Sequence, residues 1–419
     1  MKICVVGLGY IGLPTAAMLA SRGHEVVGYD VRDEVVAAVN AGEAHFQEPD
    51  LQMLLSAAVG TGRLRASTQP EQADFFLIAV PTPIQPGGAP DMSYVERAAH
   101  SVAPVLTAGC TVILESTSPV GSTETLSAAL AAARPDLIFP RYKEDDHKAD
   151  VAVCHCPERI LPGRMMTELV SNDRIIGGLS WNCADKALEL YKTFVMGTCY
   201  VTDARTAELV KLAENAFRDV NIAYANELSM ICDSLGVDVW AVRELANKHP
   251  RVEILSPGAG VGGHCIAVDP WFIVSSAPQL ARLIRTARIV NDDKPHRIVG
   301  RVRELADRFK SPVIACYGLT YKPDVDDVRE SPALEIVAQI AAAGDQVLVC
   351  EPNLAVLPEA LSSLPNVALV DATRAQTEAD IAVFLVGHRQ FRRVESGAFL
   401  GKAVVDAIGL LARPAVSAI

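Results

Sequence analysis

Lys2-Ile3-Cys4-Val5-Val6-Gly7-Leu8-Gly9-Tyr10-Ile11-Gly12 is the stretch on which the fold turns. Residues 2–6 read as a buried strand, the glycines as a turn, and the apolar residues up to about Arg22 as a helix that Gly23 stops. In such a strand–turn–helix unit the first glycine makes the turn and the second lets backbone approach a pyrophosphate. The third lets the helix pack closely on the strand. A second strand, Glu25 to Tyr29, ends at Asp30, eighteen residues past Gly12. A carboxylate there accepts hydrogen bonds from a ribose hydroxyl and repels a 2′-phosphate, which predicts NAD over NADP. Arg32 argues the other way, because an arginine can accommodate that phosphate.

Outward from this unit, apolar runs at Phe75–Val80, Thr111–Glu115 and Val151–His155 alternate with helical patterns at Tyr94–Val105 and Ser122–Ala133. Such alternation implies a parallel sheet covered on both faces. From Ala204 to about Leu235 there is neither proline nor glycine, and apolar residues recur at helical spacing. A helix of that length is too long for a crossover between strands. It reads as the spine of a central helical domain, of a kind often shared with a second subunit. Helical pattern continues over Val237–Ala246 and Pro278–Val290. After Lys310 the alternation returns, with strands at Pro312–Tyr317, Val347–Cys350 and Ile381–Val386. Ser331-Pro332 reads as an N-cap with proline in the first turn, and Gly344 as the end of that helix. The expected fold class is α/β: two Rossmann-like domains, 1–195 and 306–419, joined by a helical domain, 196–305.

Bulk properties narrow the class of function. A net charge of −12 disfavours nucleic acid and anionic membranes as general partners. No apolar run reaches transmembrane length, and Gly7, Gly9, Gly12 and Pro14 interrupt the first apolar segment in a way a signal peptide would not. Ten cysteines in 419 residues are too sparse for a disulfide scaffold, so a cytoplasmic protein is expected.

The chemistry concentrates in Gly262-Gly263-His264-Cys265-Ile266-Ala267-Val268-Asp269-Pro270. Beside a dinucleotide, an accessible thiol can capture an aldehyde as a thiohemiacetal and carry it to a thioester that water hydrolyses. That sequence takes an alcohol to a carboxylate in four electrons. The alternative is a structural cysteine in a turn. Lys211, Asn215 and Arg218 form a polar stripe on the long helix; it could supply the cation that oxyanions need, or be a solvated face paired to Glu208 and Glu214. Glu158, just past a strand, is a candidate general base. Thr82 and Thr117 follow strand ends, where hydroxyls serve either a ligand or a turn. Lys322 and Arg329 suit phosphate oxygens, although Asp324, Asp326 and Asp327 could pair with them instead. Cys154-His155-Cys156 and His264-Cys265 lack the paired spacing of a zinc site, and no metal is expected.

Taken in order, these blocks resemble the nucleotide-sugar 6-dehydrogenase family, which oxidises the C6 hydroxyl of a UDP-sugar to a carboxylate with two NAD. The resemblance runs through residues 7–14, Val-Pro-Thr-Pro at 80–83, Glu-Ser-Thr-Ser-Pro-Val-Gly at 115–121, Cys-Pro-Glu-Arg at 156–159, Lys211 with Asn215, the Cys265 block and Arg-Glu-Ser-Pro at 329–332. It implies Cys265 as nucleophile, Lys211 as oxyanion-stabilising cation with Asn215 beside it, and Glu158 as base or water activator. Asp269 would orient lysine or water, and Thr117 would hold a catalytic water. Gly7, Gly9, Tyr10, Ile11, Gly12, Asp30, Thr82 and Arg329 would line the NAD site. Glu158, Arg159, Lys211, Asn215, Gly262 and Lys322 would meet the UDP-sugar, with His249 and Arg251 reaching it from a neighbouring subunit of a homodimer or larger assembly. Residues 48–51, 248–252 and 260–274 are most similar to members that act on UDP-N-acetyl-D-mannosamine for bacterial surface polysaccharides. UDP-glucose 6-dehydrogenases share the chemistry but often carry a glutamate where this chain has Pro162. UDP-N-acetylglucosamine or -galactosamine as substrate, and a two-electron hydroxyacid dehydrogenase, are further alternatives.

Overall fold

β1 (Lys2–Val6) lies inside an eight-stranded sheet that it shares with β2 (Glu25–Tyr29), β3 (Leu64–Ser67), β4 (Phe75–Ile78), β5 (Thr111–Leu114), β6 (Ala152–His155), β7 (Arg174–Gly178) and β8 (Cys199–Asp203). The computed structural model describes residues 1–144, 148–263, 265–393 and 396–411. His264, half of one zinc-like pair, and the last eight residues of the third expected domain lie outside the described residues. The chain divides into two compact units, Met1–Glu214 with Trp271–Pro278, and Asn215–Pro270 with Gln279 onward.

The sheet of the first unit has the order β3-β2-β1-β4-β5-β6-β7-β8. β1 pairs in parallel with β2 (Lys2↔Glu25) and with β4 (Ile3↔Phe75). The apolar character of β1, β4 and β5 is continuous rather than alternating because helices cover both faces, leaving Ile3, Cys4, Phe76, Leu77, Val112 and Ile113 without exposed surface. The strand order reverses between β1 and β4, so the carboxyl ends of these two strands border the ligand crevice. One departure from an all-parallel sheet occurs: β7 runs antiparallel to β6, with Cys154↔Gly178 and His155↔Gly177. An antiparallel neighbour needs no full crossover, and the connection carries only the seven-residue helix Met165–Ser171.

The second unit holds a five-stranded parallel sheet of β9 (Val313–Tyr317), β10 (Gln346–Cys350), β11 (Val367–Leu369), β12 (Ile381–Phe384) and β13 (Ala403–Asp406), in the order β11-β10-β9-β12-β13. Its crevice lies between β9 and β12. Ser331 caps the helix Pro332–Ala342, its hydroxyl accepting from Leu334 N–H, and Gly344 follows with φ +94°. The helix Ala204–Leu235 is 32 residues long, as the absence of proline and glycine predicts.

The next long helix departs from its expected extent. It begins at Arg282 rather than Pro278 and runs 25 residues to Ala306, straight through Pro295. A buried polar seam joins it to the Ala204–Leu235 helix. Arg288 Nη1 donates to Asp219 Oδ1 at 2.5 Å, Asn291 to Asp219 Oδ1 at 2.8 Å, Asn226 Nδ2 to Asn291 Oδ1 at 2.9 Å, and Lys294 to Ser229 Oγ at 2.5 Å. These tertiary bonds and the packing around them outweigh the single helix bond that Pro295 removes.

Candidate active site

In the first unit the glycine turn has the shape its residues predict. Gly7 adopts φ +91°, and its N–H donates to Tyr29 O at 2.8 Å. A Cβ on Gly7 would lie 2.7 Å from Ala79 O, and one on Gly12 only 1.8 Å from Gly7 O, so neither position accepts a side chain. Gly9 has open space where a Cβ would stand, which leaves its backbone approachable. This is the space a pyrophosphate requires, and the turn therefore fits a dinucleotide. Ile11 is the residue preceding the helix Gly12–Ser21, and Tyr10 stacks on Phe46 with ring centroids 4.3 Å apart.

Asp30 is buried at the end of β2. Its Oδ2 accepts from Leu8 N–H at 3.0 Å, and its Oδ1 from Arg32 N–H at 3.0 Å and Arg32 Nε at 3.2 Å. Burial works to raise the Asp30 carboxyl, but the hydrogen bonds from Arg32 and Leu8 outweigh it and hold the group below its usual range. Arg32 is thus engaged with the very carboxylate whose reading it complicated. Thr82 Oγ1 donates to Thr117 O at 2.7 Å, stapling the loops that follow β4 and β5.

Glu158 follows β6 and is 6% exposed. Both its oxygens are engaged: Oε1 accepts from Arg159 N–H at 2.6 Å, and Oε2 from Arg174 Nη1 at 2.5 Å. Arg159 itself reaches Glu214 at 2.6 Å. Glu208 is not a surface partner of the lysine stripe. It is buried and accepts from Gly121 N–H at 2.6 Å, Thr123 N–H at 2.8 Å and Thr123 Oγ1 at 2.6 Å, anchoring the start of the helix Ser122–Ala133. Lys211 is half-buried on the long helix, one turn before Asn215.

Sequence reading missed the group behind Glu158. Arg174, Glu115 and Tyr191 are buried together, with Tyr191 Oη donating to Glu115 Oε1 at 2.6 Å and the Arg174 guanidinium 5.7 Å from the Tyr191 ring centre. The available signal was a charge leading an apolar run, Arg174 before Ile175-Ile176, which an exposed strand end explains equally well. His155 and its neighbours Cys154 and Cys156 are wholly buried, and burial pushes the imidazole down to about 3. Among the described residues no group of three His, Cys, Asp or Glu side chains is arranged to hold a metal ion.

In the second unit, Cys265 stands in a turn that leads into the helix Asp269–Ser276. Asp269 N–H donates to Cys265 O at 2.8 Å, and Asp269 Oδ2 accepts from Asn215 Nδ2 at 2.5 Å. Of the ten cysteines, all within the described residues, eight are buried and Cys199 is half-buried; Cys265 is exposed. The glycines before it pack against the loop 321–332. A Cβ on Gly262 would come within 2.4 Å of Glu330 O, and one on Gly263, at φ +85°, within 3.1 Å of the Tyr321 ring. That contact brings the cysteine segment beside the loop carrying Lys322 and Arg329. Arg329 is paired in two places with Asp327, at 2.9 and 2.7 Å. His249 and Arg251 are exposed, beyond the helix Val239–Ala246.

The NAD binding domain of the UDP-glucose/GDP-mannose dehydrogenase family matches residues 1–195, its central domain residues 205–293 and its UDP binding domain residues 315–413. The chain is 57% identical, over 99% of its length and 97% of the relative's, to a protein of Ralstonia nicotianae named NDP-N-acetyl-D-galactosaminuronic acid dehydrogenase. It is 54% identical, over 97% and 98%, to the UDP-N-acetyl-D-mannosamine dehydrogenase of Escherichia coli. The solved UDP-D-ManNAc dehydrogenase of Pyrococcus horikoshii superposes with a TM-score of 0.86 at 39% identity, covering 99% of this chain and 97% of that one. No helix among the described residues is long and apolar enough to cross a membrane. The three family matches, which together span most of the chain, and the identity to relatives over nearly its full length establish that the chain belongs to the UDP-glucose/GDP-mannose dehydrogenase family and is an NAD-dependent nucleotide-sugar dehydrogenase.

Proposed function

We propose that the protein oxidises the C6 hydroxyl of UDP-N-acetyl-D-mannosamine to the carboxylate of UDP-N-acetyl-D-mannosaminuronate, in the cytoplasm, for bacterial surface polysaccharide. The observation that carries the chemistry is the exposed Cys265, four residues before the buried Asp269 that Asn215 holds at 2.5 Å. A two-electron dehydrogenase has no use for that thiol. NAD, when bound at the glycine turn, accepts the electron pairs. Cys265 adds to the aldehyde carbon and holds the acyl group as a thioester until water releases it. Lys211, with Asn215, stabilises each oxyanion, Asp269 orients them, and Glu158 and Thr117 position the water. The three-part division at 1–195, 196–305 and 306–419 goes with this reading: cofactor, catalytic helix and UDP moiety, the last met by Lys322.

The same reading includes a homodimer. Phe217, Tyr224 and Ile231 recur every seven residues on the long helix and are 73%, 57% and 47% exposed. An apolar stripe of that kind suits an isologous contact with a second copy, whose exposed Arg251 and His249 would reach across to the sugar nucleotide. A second reading has support of its own, since one relative, at 57% identity, is named for N-acetyl-D-galactosaminuronic acid. A panel of UDP-N-acetylmannosamine, UDP-N-acetylgalactosamine and UDP-glucose, assayed for NADH formed per sugar consumed, separates these possibilities. Two NADH per UDP-N-acetylmannosamine, and the highest kcat/KM for it, is the expected result. One NADH per sugar removes the thioester route, and a preference for the galacto substrate selects the second reading. Mixing Cys265→Ala and Arg251→Ala chains should restore part of the activity if the site is shared. No recovery after demonstrated chain exchange sinks that part.

A further inference from the structure

The second unit repeats the nucleotide-binding geometry of the first and then closes one part of it. In the first unit Gly7 N–H donates to Tyr29 O at 2.8 Å and Leu8 N–H to Asp30 Oδ2 at 3.0 Å. In the second, Gly318 N–H donates to Cys350 O at 2.9 Å and Leu319 N–H to Glu351 Oε2 at 2.7 Å. The two glycines have φ of +91° and +94°. β9 pairs with β10 and β12 as β1 pairs with β2 and β4. Glu351 therefore stands where Asp30 stands, at the place from which this fold reads a ribose.

The likeness stops at the side chains. Thr320 and Pro323 replace the second and third glycines of the turn. Glu351 is 4% exposed, and His388 Nε2 sits 2.9 Å from its Oε2. His388 Nδ1 accepts from Asp324 N–H at 2.9 Å and from Asn353 Nδ2 at 3.0 Å, which puts the ring proton on Nε2 and directs it at Glu351. One wholly buried imidazole thus ties together the loops after β9, β10 and β12, the loops that border the crevice. Asp324 needs such support, because it holds a left-handed φ of +61°. Its carboxylate also accepts from Arg389 N–H at 3.0 Å and Arg389 Nε at 2.8 Å. Lys322 lies between these fixed points, its carbonyl accepting from Thr320 Oγ1 at 2.9 Å.

We infer that His388 is a positioning residue of the second nucleotide site: it takes Glu351 out of ribose recognition and fixes the Thr320–Asp324 loop, so that this unit accepts a nucleoside diphosphate and not a second dinucleotide. The inference rests on Lys322 serving the UDP moiety, as proposed above. His388 is the lock, and the lysine loop is what it locks.

The test uses the full chain, with UDP and NAD titrated separately by calorimetry. His388→Leu should weaken UDP about tenfold or more, the scale for losing a buried hydrogen-bonded hub, and leave NAD affinity within about twofold. His388→Asn, whose amide oxygen can still accept from Asp324 N–H, should recover most of the loss. The Asp324 amide should be protected from hydrogen exchange in the unaltered protein and in His388→Asn, a readout that stands even where the leucine substitution prevents folding. NAD should titrate to one site per chain. Equal UDP binding by the unaltered and His388→Leu proteins, two NAD sites per chain, or an unprotected Asp324 amide each overturns the inference. An unaltered chain that fails to bind UDP overturns the reading of Lys322 as well.

Discussion

Arg174 Nη1 donates to Glu158 Oε2 at 2.5 Å with the two side chains only 1% and 6% exposed, so the carboxylate proposed to position water is itself positioned by a buried ion pair. Such a pair is a geometric device more than a source of stability, because desolvation offsets much of its attraction. Removing one partner is a different matter, since the other charge stays buried alone.

Arg174→Met should therefore destabilise the protein by about 3–5 kcal/mol in urea unfolding. Arg301→Met breaks a pair to Glu304 that is more than half exposed on both sides, and should shift stability by no more than ~0.5 kcal/mol. Equal effects from the two changes would mean that the Arg174 pair is solvated.

Glu115 gives the same cluster a pH dependence. Burial first, and then the neighbouring Glu158 carboxylate, push it up from 4.5 to about 7, against the opposing pull of the Tyr191 hydroxyl and the Arg174 guanidinium. A carboxyl raised in the folded state keeps its proton where the unfolded chain has released it. Its stabilisation is complete below pH 4.5 and is lost as the pH rises to about 7. The loss is on the order of 3 kcal/mol. Glu115→Gln keeps an oxygen for Tyr191 but cannot titrate, so its stability curve should be flatter over that window. Parallel curves for the two proteins would place the ionisation elsewhere.

Cofactor choice should follow the Asp30–Arg32 pair. Asp30→Ser removes the carboxylate and releases Arg32 to meet a 2′-phosphate. The ratio of kcat/KM for NAD over NADP should then fall by about tenfold or more, on the scale of one charge-assisted hydrogen bond. Arg32→Ala alone should leave NAD strongly preferred. Equal use of both cofactors by the unaltered protein would show that Arg32 governs the pocket despite its bond to Asp30.

At the chemical step, Lys211→Ala should lower kcat by roughly 10²–10³-fold, the usual scale for one oxyanion donor, with little change in NAD affinity. Cys265→Ser should bind NAD and UDP-sugar yet fail to complete the four-electron turnover, because a hydroxyl is the poorer nucleophile and its ester hydrolyses more slowly. Complete turnover by the serine protein, followed as NADH and product charge, would take the thiol out of the mechanism.

Much of this protein was legible in sequence because it is written in local terms. Three glycines between a strand and a helix specify one turn, and an acid at the end of β2 stands beside it. Proline-free, glycine-free helical spacing from Ala204 to Leu235 specifies a single helix, and Cys265 stands out by its glycines. Those features depend on backbone freedom and periodicity over a few residues. What the tertiary structure alone decided depends on residues far apart in the chain. Tyr191 meets Glu115 across 76 positions, His388 meets Asp324 across 64, and Arg288 meets Asp219 across 69, which helps the long helix run through Pro295. β7 reversed direction for the same kind of reason: pairing against β6 satisfied its edge without a crossover. A buried polar group must find its distant partner wherever the packed sheet brings one, and nothing within a few residues of Glu115, Glu158 or Glu351 records that Tyr191, Arg174 and His388 come to lie against them.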